Sequence, residues 1–260
     1  MSTVLTTREG GILTLTLNRP EQGNAINMAL AADLLAAARD TAGDPAVRCV
    51  VLAAAGRMFC VGGDIAEFSA AGDGASAFIR QLADTLHEAV LVLAGMAKPF
   101  VALIQGPAAG AGLSLAAAAD IVIASEAAHF TAAYTAIGLT PDGGMTWLLP
   151  RLVGMRLTQD MMLTNRRLAA AEAAVAGLVT RVVPAEALAE EGAKLAAQLA
   201  DGPVAAFGSV RRLLAQSQGA PLDLQLEREA ASISAAAGGP EGREGVAAFS
   251  ARRKADFRAQ

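Results

Sequence analysis

The sequence predicts an α/β fold in which strand, turn and helix recur, closed by an all-helical tail. Three observations carry that expectation. Short apolar runs of β type begin near residues 12, 47, 100, 121 and 178, separated by Gly/Pro turns and helical patterns, although no exact sequence repeat is present. The stretch FVALIQGPAAGAGLSLAAAAD at 100–120 holds one complete unit: a buried-strand run, a Gly/Pro/Ala turn and a run of small helix formers. After Gly202-Pro203 only helical patterns remain, at 203–217, 222–236 and 241–256, broken at Gln218-Gly219-Ala220-Pro221 and Gly238-Gly239-Pro240. With 260 residues the chain can bury a substantial core, expected at 1–200, with 201–260 as a helical appendage that packs on a neighbour.

Taken in order, 11–19 (GILTLTLNR) alternates apolar and Thr residues as a half-buried strand does, and 20–24 ends it in a turn. Asn27 is placed to cap a helix whose Met28, Leu30, Ala31, Leu34, Leu35 and Ala38 fall near helical spacing. Asp44-Pro45 closes that helix before a strand at 47–53. In GRMFCVGGDIAEF, at 56–68, Gly62-Gly63 make a tight turn and Asp64 stands where an N-cap would start a short helix. A long helix at about 76–97 stops at Lys98-Pro99, because the residue before proline is pushed out of helical conformation. The strand at 100–104 follows, then a helix starting between Gly110 and Gly112, and a β run at 121–123. Residues 129–154 mix short helical pieces with a Pro-Asp-Gly-Gly loop. Helices at 155–163 and 170–176, a strand at 178–183 and a helix opened by Pro184 and running to about 200 complete the α/β part.

Composition sets the outer limits. Apolar residues make up 53% and charged residues 18%, which excludes a disordered chain, and the Ala excess with 4% aromatics suggests helices packed through small side chains. A net charge of −4 gives no footprint for nucleic acid, although Arg252, Arg253, Lys254 and Arg258 make the end locally basic. Cys49 and Cys60 sit in apolar settings without C-x-x-C spacing, so a reduced protein with no disulfide or zinc is expected. The opening MSTVLTTREGG is polar and lacks the apolar region of a secretory signal, which makes cytoplasm the expected compartment. The uncharged run 99–119 approaches membrane-span length, but Gln105, Pro107, three glycines and the lack of interfacial Trp or Tyr mark it as buried core.

The turn at 106–112 carries chemistry. The first N–H groups of a helix have no partner within it, and the helix dipole adds partial positive charge there. Residues 108–112 are only Ala and Gly, so nothing bulky covers those groups and a polarised carbonyl could reach them, as half of an oxyanion hole. Such a turn also serves simply to pack helix on sheet. The glycines Gly106, Gly110 and Gly112, with the first acid at Asp120, do not match the dinucleotide spacing.

Three motifs in this order, LNRPEQGNAIN at 17–27, MFCVGGDIAEF at 58–68 and QGPAAGAGLSLAAAAD at 105–120, resemble the crotonase, or enoyl-CoA hydratase/isomerase, superfamily. IGLTPDGGMTWLLPRLVG at 137–154 and EGVAAFSARRKADF at 244–257 extend the resemblance over essentially the whole chain. It implies a spiral of repeated β-β-α turns, a C-terminal helical region that exchanges contacts between subunits, homotrimers or dimers of trimers, and an acyl-CoA thioester as substrate. The oxyanion-hole donors it implies are the N–H groups of Gly63 and Ala111. Asn24, Ala25, Val61, Asp64 and Ile65 would line the coenzyme A track, and Phe249 and Arg252 would reach a neighbour's coenzyme A.

Two N–H groups aimed at a thioester oxygen stabilise its enolate, so no metal or organic cofactor is expected and what remains is a proton carrier. Ser114 and Tyr134 stand where a hydratase has its two glutamates, and neither is a carboxylate. Asp142 matches the acidic position of some isomerases of the superfamily, and a single carboxylate suffices to shift a double bond. Its alternative role is to cap a helix beginning at Gly143. Tyr134 bridges to substrate or walls the pocket, Asp64 reads as a cap, and Glu67 and Glu88 are weaker candidates for the acyl pocket. His87 and His129 lack any H-E-x-x-H or triad context and read as satisfied surface or core histidines. G-x-S-x-G is absent. The reading is thus an enoyl-CoA isomerase, with a hydratase of unusual residue choice or an acyl-CoA-binding protein without catalysis as alternatives.

Overall fold

The computed structural model describes residues 2–259. Strands β1 (Val4–Glu9) and β2 (Ile12–Leu17) form an antiparallel pair. β1 lies in the segment to which the sequence pattern assigns no element. Of its residues only Val4 is buried, because an edge strand held by main-chain pairing needs no apolar alternation. Helix α1 (Met28–Gly43) starts at Asn27, whose Oδ1 accepts from the Leu30 N–H at 2.9 Å, and leads to β3 (Cys49–Ala54). Helix α2 (Ile65–Ala70) is capped by Asp64, which accepts from the Ala66 N–H, and α3 (Ala75–Gly95) ends just before Lys98-Pro99.

The stretch at 100–120 then folds into β4 (Phe100–Ile104), β5 (Ala108–Ala109) and α4 (Ala111–Ala117). Beyond it come β6 (Ile121–Ser125), β7 (His129–Thr131), α5 (Met145–Val153), α6 (Met155–Thr164), β8 (Leu168–Ala169), α7 (Ala170–Ala176) and β9 (Arg181–Val183). The chain closes with α8 (Leu188–Ala200), α9 (Val204–Ser217), α10 (Leu222–Gly238) and α11 (Pro240–Ser250). No helix among the described residues is long and apolar enough to cross a membrane.

The main sheet runs β1-β2-β3-β4-β6-β9, parallel at every pairing except β1 with β2. Burial on both faces explains the continuous apolar runs read from the sequence. In β3, Val50 and Leu52 face the large core shared with α1 and α3, while Cys49 and Val51 face a second cluster with Leu188, Leu195, Ala196 and Ala200 of α8. A second layer holds the short sheet β5-β7-β8 together with parallel bridges from Ile26 to Gly63 and from Cys60 to Ala108. From β2 to β6 the chain repeatedly lays one strand in the main sheet, then a short extended piece in the second layer, then a helix, a β-β-α spiral in which α4 is the one helix buried along its whole length.

Two cations, the buried Lys98 and the half-buried Arg211, fasten helices to the core. Lys98 Nζ donates to the carbonyls of Thr41, Ala42 and Asp44, closing the C-terminal end of α1, and burial lowers its pKa. Arg211 of α9 pairs with Asp120 at 2.8 Å and donates to the carbonyls of Leu93 and Met96, binding the helical tail to the core. The last helix stops at Ser250 rather than running to 256. Arg252 takes a φ of 54°, the Arg253 N–H returns to the Ala248 carbonyl, and Glu244 accepts from both Arg253 and the Asp256 N–H. Those contacts, the Arg253 hydrogen bond first, hold the Glu244 carboxyl down to about 2.

Candidate active site

The two glycine turns read from the sequence meet in the second layer. Gly62 takes a φ of 99°, and a Cβ there would stand 3.2 Å from the Ala109 carbonyl oxygen and 3.4 Å from Gly110 Cα, so only glycine allows this approach. The Ile26 N–H donates to the Gly62 carbonyl at 2.7 Å, and the Asp64 N–H donates to the Ile26 carbonyl at 2.9 Å. Peptide groups alternate along an extended chain, so the N–H of Gly63 itself points away from Ile26, toward the side where Gly110 lies. Ala111 is the first residue of α4, one of the helix positions whose N–H has no intrahelical acceptor. Among the described residues neither the Gly63 nor the Ala111 N–H has a hydrogen-bond acceptor, and both residues line one cavity of about 860 Å³.

Asp142 lines the same cavity. It is the only carboxylate among the residues lining that cavity. Its Oδ1 accepts from the Tyr134 hydroxyl at 2.6 Å, a length typical of a charge-assisted bond. Burial, followed by the neighbouring Asp142, raises the Tyr134 phenol above its ordinary value, which makes it a donor and not a base. Asp142 does not cap a helix. α5 begins at Met145 with Gly144 as its N-cap and no side-chain cap bond, and Asp142 contributes only its carbonyl, to the Met145 N–H. Ser114 lies behind the cavity wall. It is fully buried, its Oγ donates to the Asp142 carbonyl at 3.0 Å, and Gly143, at φ 62°, packs so close that a Cβ would fall 2.8 Å from Ser114 Cβ.

His87 is hydrogen-bonded, as the sequence reading expects, but to the residue that follows Asp142. Its Nε2 accepts from the Gly143 N–H at 3.0 Å and lies 3.8 Å from Asp142 Oδ2. The lone pair engaged by Gly143 leaves Nε2 without a proton, so the ring is neutral with its hydrogen on Nδ1. The contact with Asp142 is therefore no ion pair in this state. Ile79, Leu82, Ala83 and Leu86, spaced as one face of α3, line the cavity beside it, with Arg80 as the one cationic lining residue. That stripe was the available signal for a pocket wall, since His87 lies one turn beyond Ala83. His129, in β7, is not in the cavity wall; burial, then Arg167, lowers its pKa.

Of the residues assigned to the coenzyme A track, Val61 and Ile65 line the cavity. Asn24, Ala25 and Asp64 sit beneath it as scaffolding. Asn24 is fully buried, accepts from the Arg19 N–H and donates to the Ala55 and Met58 carbonyls, each at 2.9 Å. Arg19 pairs with Asp64 at 2.9 Å and donates to the Ala25 carbonyl, locking the 24–25 turn to the Gly63 turn. Glu67 is spent on Asn27 and Glu88 on Arg39, and neither lines the cavity. Phe249 and Arg252 lie outside the cavity wall, Phe249 87% exposed on α11. Burial pushes the Cys49 and Cys60 thiols up to about 12, so neither supplies a thiolate. No cluster of three or more His, Cys, Asp or Glu side chains gathers among the described residues.

Comparison with known proteins agrees with this architecture. The family model described as enoyl-CoA hydratase/isomerase matches residues 7–260. The chain is 35% identical over 258 residues to the 1,2-epoxyphenylacetyl-CoA isomerase of Escherichia coli K12, covering 99% of this chain and 98% of that one. It is 33% identical over 258 residues to the 2,3-dehydroadipyl-CoA hydratase of the same organism, covering 99% of each. The crystal structure of an enoyl-CoA hydratase from Polaromonas sp. JS666 superposes with a TM-score of 0.93 at 32% identity, over 97% of this chain and 98% of that one. The spiral fold, the paired glycine turns and a match running nearly end to end lead to one conclusion: the chain belongs to the enoyl-CoA hydratase/isomerase family of the crotonase superfamily.

Proposed function

We propose that the protein is an enoyl-CoA isomerase that moves a carbon–carbon double bond along the acyl chain. The thioester oxygen sits between the N–H groups of Gly63 and Ala111, and Asp142 carries the proton. The observation that supports this reading most is the single carboxylate in the wall of a cavity also lined by two residues whose N–H groups have no acceptor among the described residues. Asp142 takes a proton from C2 of a 3-enoyl thioester, and the electron pair passes through the carbonyl carbon to the oxygen. The resulting dienolate recovers that proton at C4, giving the 2-enoyl thioester with atoms and charge balanced. The amides favour the enolate over the neutral thioester, and one such donor contributes about 3–4 kcal/mol to the transition state. No metal or organic cofactor enters these steps.

Water addition would need a second group to hold and activate the water. At the positions where a hydratase has its glutamates, this chain has the buried Ser114 and the phenol donor Tyr134. Coenzyme A would run past Val61 and Ile65. The exposed apolar side chains of the tail, including Leu222 and Ile233 of α10 and Phe249 of α11, support reading 201–260 as an assembly surface. The test is conversion of a 3-enoyl-CoA to its 2-enoyl isomer by the wild type and by Asp142→Asn. Asp142→Asn is expected to lose at least about 100-fold in kcat, the range for a positioned base. Equal rates would remove Asp142 from the mechanism, and fast hydration of crotonyl-CoA by the wild type would overturn the isomerase reading.

A further inference from the structure

We infer that His87 is a positioning residue for Asp142: as a neutral acceptor it holds the Gly143 amide and keeps the outer oxygen of the carboxylate uncovered. The inference rests on the reading of Asp142 as the proton carrier. The contacts of His87 are with the Gly143 amide and the Asp142 carboxylate, so its effect on the chemistry runs through Asp142. The two oxygens of Asp142 have unequal surroundings. Oδ1 is held by the Tyr134 hydroxyl at 2.6 Å, whereas Oδ2 faces His87 Nε2 at 3.8 Å, beyond hydrogen-bond length. Oδ2 is then the oxygen left to take the substrate proton.

The position of that oxygen depends on the 142–143 peptide, whose two ends are both held. Ser114 Oγ donates to its carbonyl at 3.0 Å, and its N–H donates to His87 at 3.0 Å. A protonated His87 would present an N–H instead of a lone pair. It could no longer accept from Gly143 and would be drawn to Oδ2, covering the base and releasing one end of the peptide. The other charged groups near His87 on α3 already have partners: Asp84 is held by Arg80, and Glu88 is held by Arg39 from α1. Tyr134 reaches only the far oxygen. The carboxylate of Asp142 is thus the acceptor within reach of an imidazolium at this place.

The experiment follows proton exchange at C2 of an acyl-CoA in deuterated water as a function of pH, for the wild type, His87→Gln, His87→Phe and Asp142→Asn, with melting temperatures recorded for each. Glutamine can accept from the Gly143 N–H through its amide oxygen but does not titrate. His87→Gln is expected to keep the plateau rate within about threefold and to move the acid limb to lower pH, because a side chain that cannot gain a proton cannot turn a second N–H onto Oδ2. His87→Phe, with no acceptor, is expected to lose about threefold to tenfold in kcat with KM little changed, the scale of one lost hydrogen bond at a partly exposed site. An acid limb in His87→Gln that superimposes on the wild type, or full kcat in folded His87→Phe, would overturn the inference while leaving the base assignment intact. Unchanged exchange by Asp142→Asn would overturn the base assignment and this inference with it.

Discussion

Replacing Ala111 with proline tests the role of its amide with little disturbance to the fold. Ala111 occupies the first position of α4, where proline is favoured because the missing N–H has no helical acceptor and the fixed φ suits the helix. The amide hydrogen has no acceptor among the described residues, so no hydrogen bond among them is lost, and the added ring carbon takes the place of that hydrogen at the cavity wall. If this amide is one of two donors to the enolate oxygen, its removal costs about 3–4 kcal/mol of transition-state stabilisation, or roughly 10²–10³ in kcat. Gly63 cannot be probed as cleanly, because a Cβ there would fall 2.5 Å from Phe68 Cζ. The assay is deuterium uptake at C2 of an acyl-CoA by mass spectrometry, beside a thermal melt. Ala111→Gly, which keeps the N–H, serves as the control. Exchange by Ala111→Pro within about threefold of wild type, at an unchanged melting temperature, would refute the oxyanion-hole reasoning.

Further outcomes follow from the scaffold. Lys98→Met leaves the carbonyls of Thr41, Ala42 and Asp44 without their buried donor, and should cost about 3 kcal/mol. With a urea dependence of about 2 kcal/mol per molar, the midpoint would fall by roughly 1.5 M, and a shift under about 0.3 M would contradict the assigned role. Asp33, whose carboxyl is held below its ordinary value first by the Thr3 hydroxyl and then by the Thr3 N–H, fastens the start of the chain to α1. A depressed carboxylate contributes stability that is complete above its unfolded pKa and is lost as pH falls through the lower, folded one. Asp33→Asn should therefore lose less stability than wild type between about pH 5 and 3, by under about 1 kcal/mol at this partly exposed site. Parallel acid denaturation curves would reject that coupling.

How much of this was legible beforehand depended on whether the signal was local. The strands at 100–104 and 121–125 show in the sequence because burial on both faces demands unbroken apolar runs. Asn27 and Asp64 are readable as caps because an N-cap acts on amides two or three residues away. The glycine turns at 62–63 and 110–112 are visible because close backbone approach excludes side chains. β1 stayed hidden, since an exposed edge strand is specified by its partner's backbone.

The sequence by itself determined the recurrent α/β pattern, the two turns rich in exposed amides and the family resemblance, all of which are written in residues close together along the chain. Only the tertiary structure decided what surrounds Asp142. Its helix begins at Met145, so the carboxylate is released from capping and turns to Tyr134. His87, fifty-six positions from Gly143, reaches that residue's amide because α3 packs along the cavity. Such a meeting is set by how separate elements pack, and no spacing within either segment encodes it.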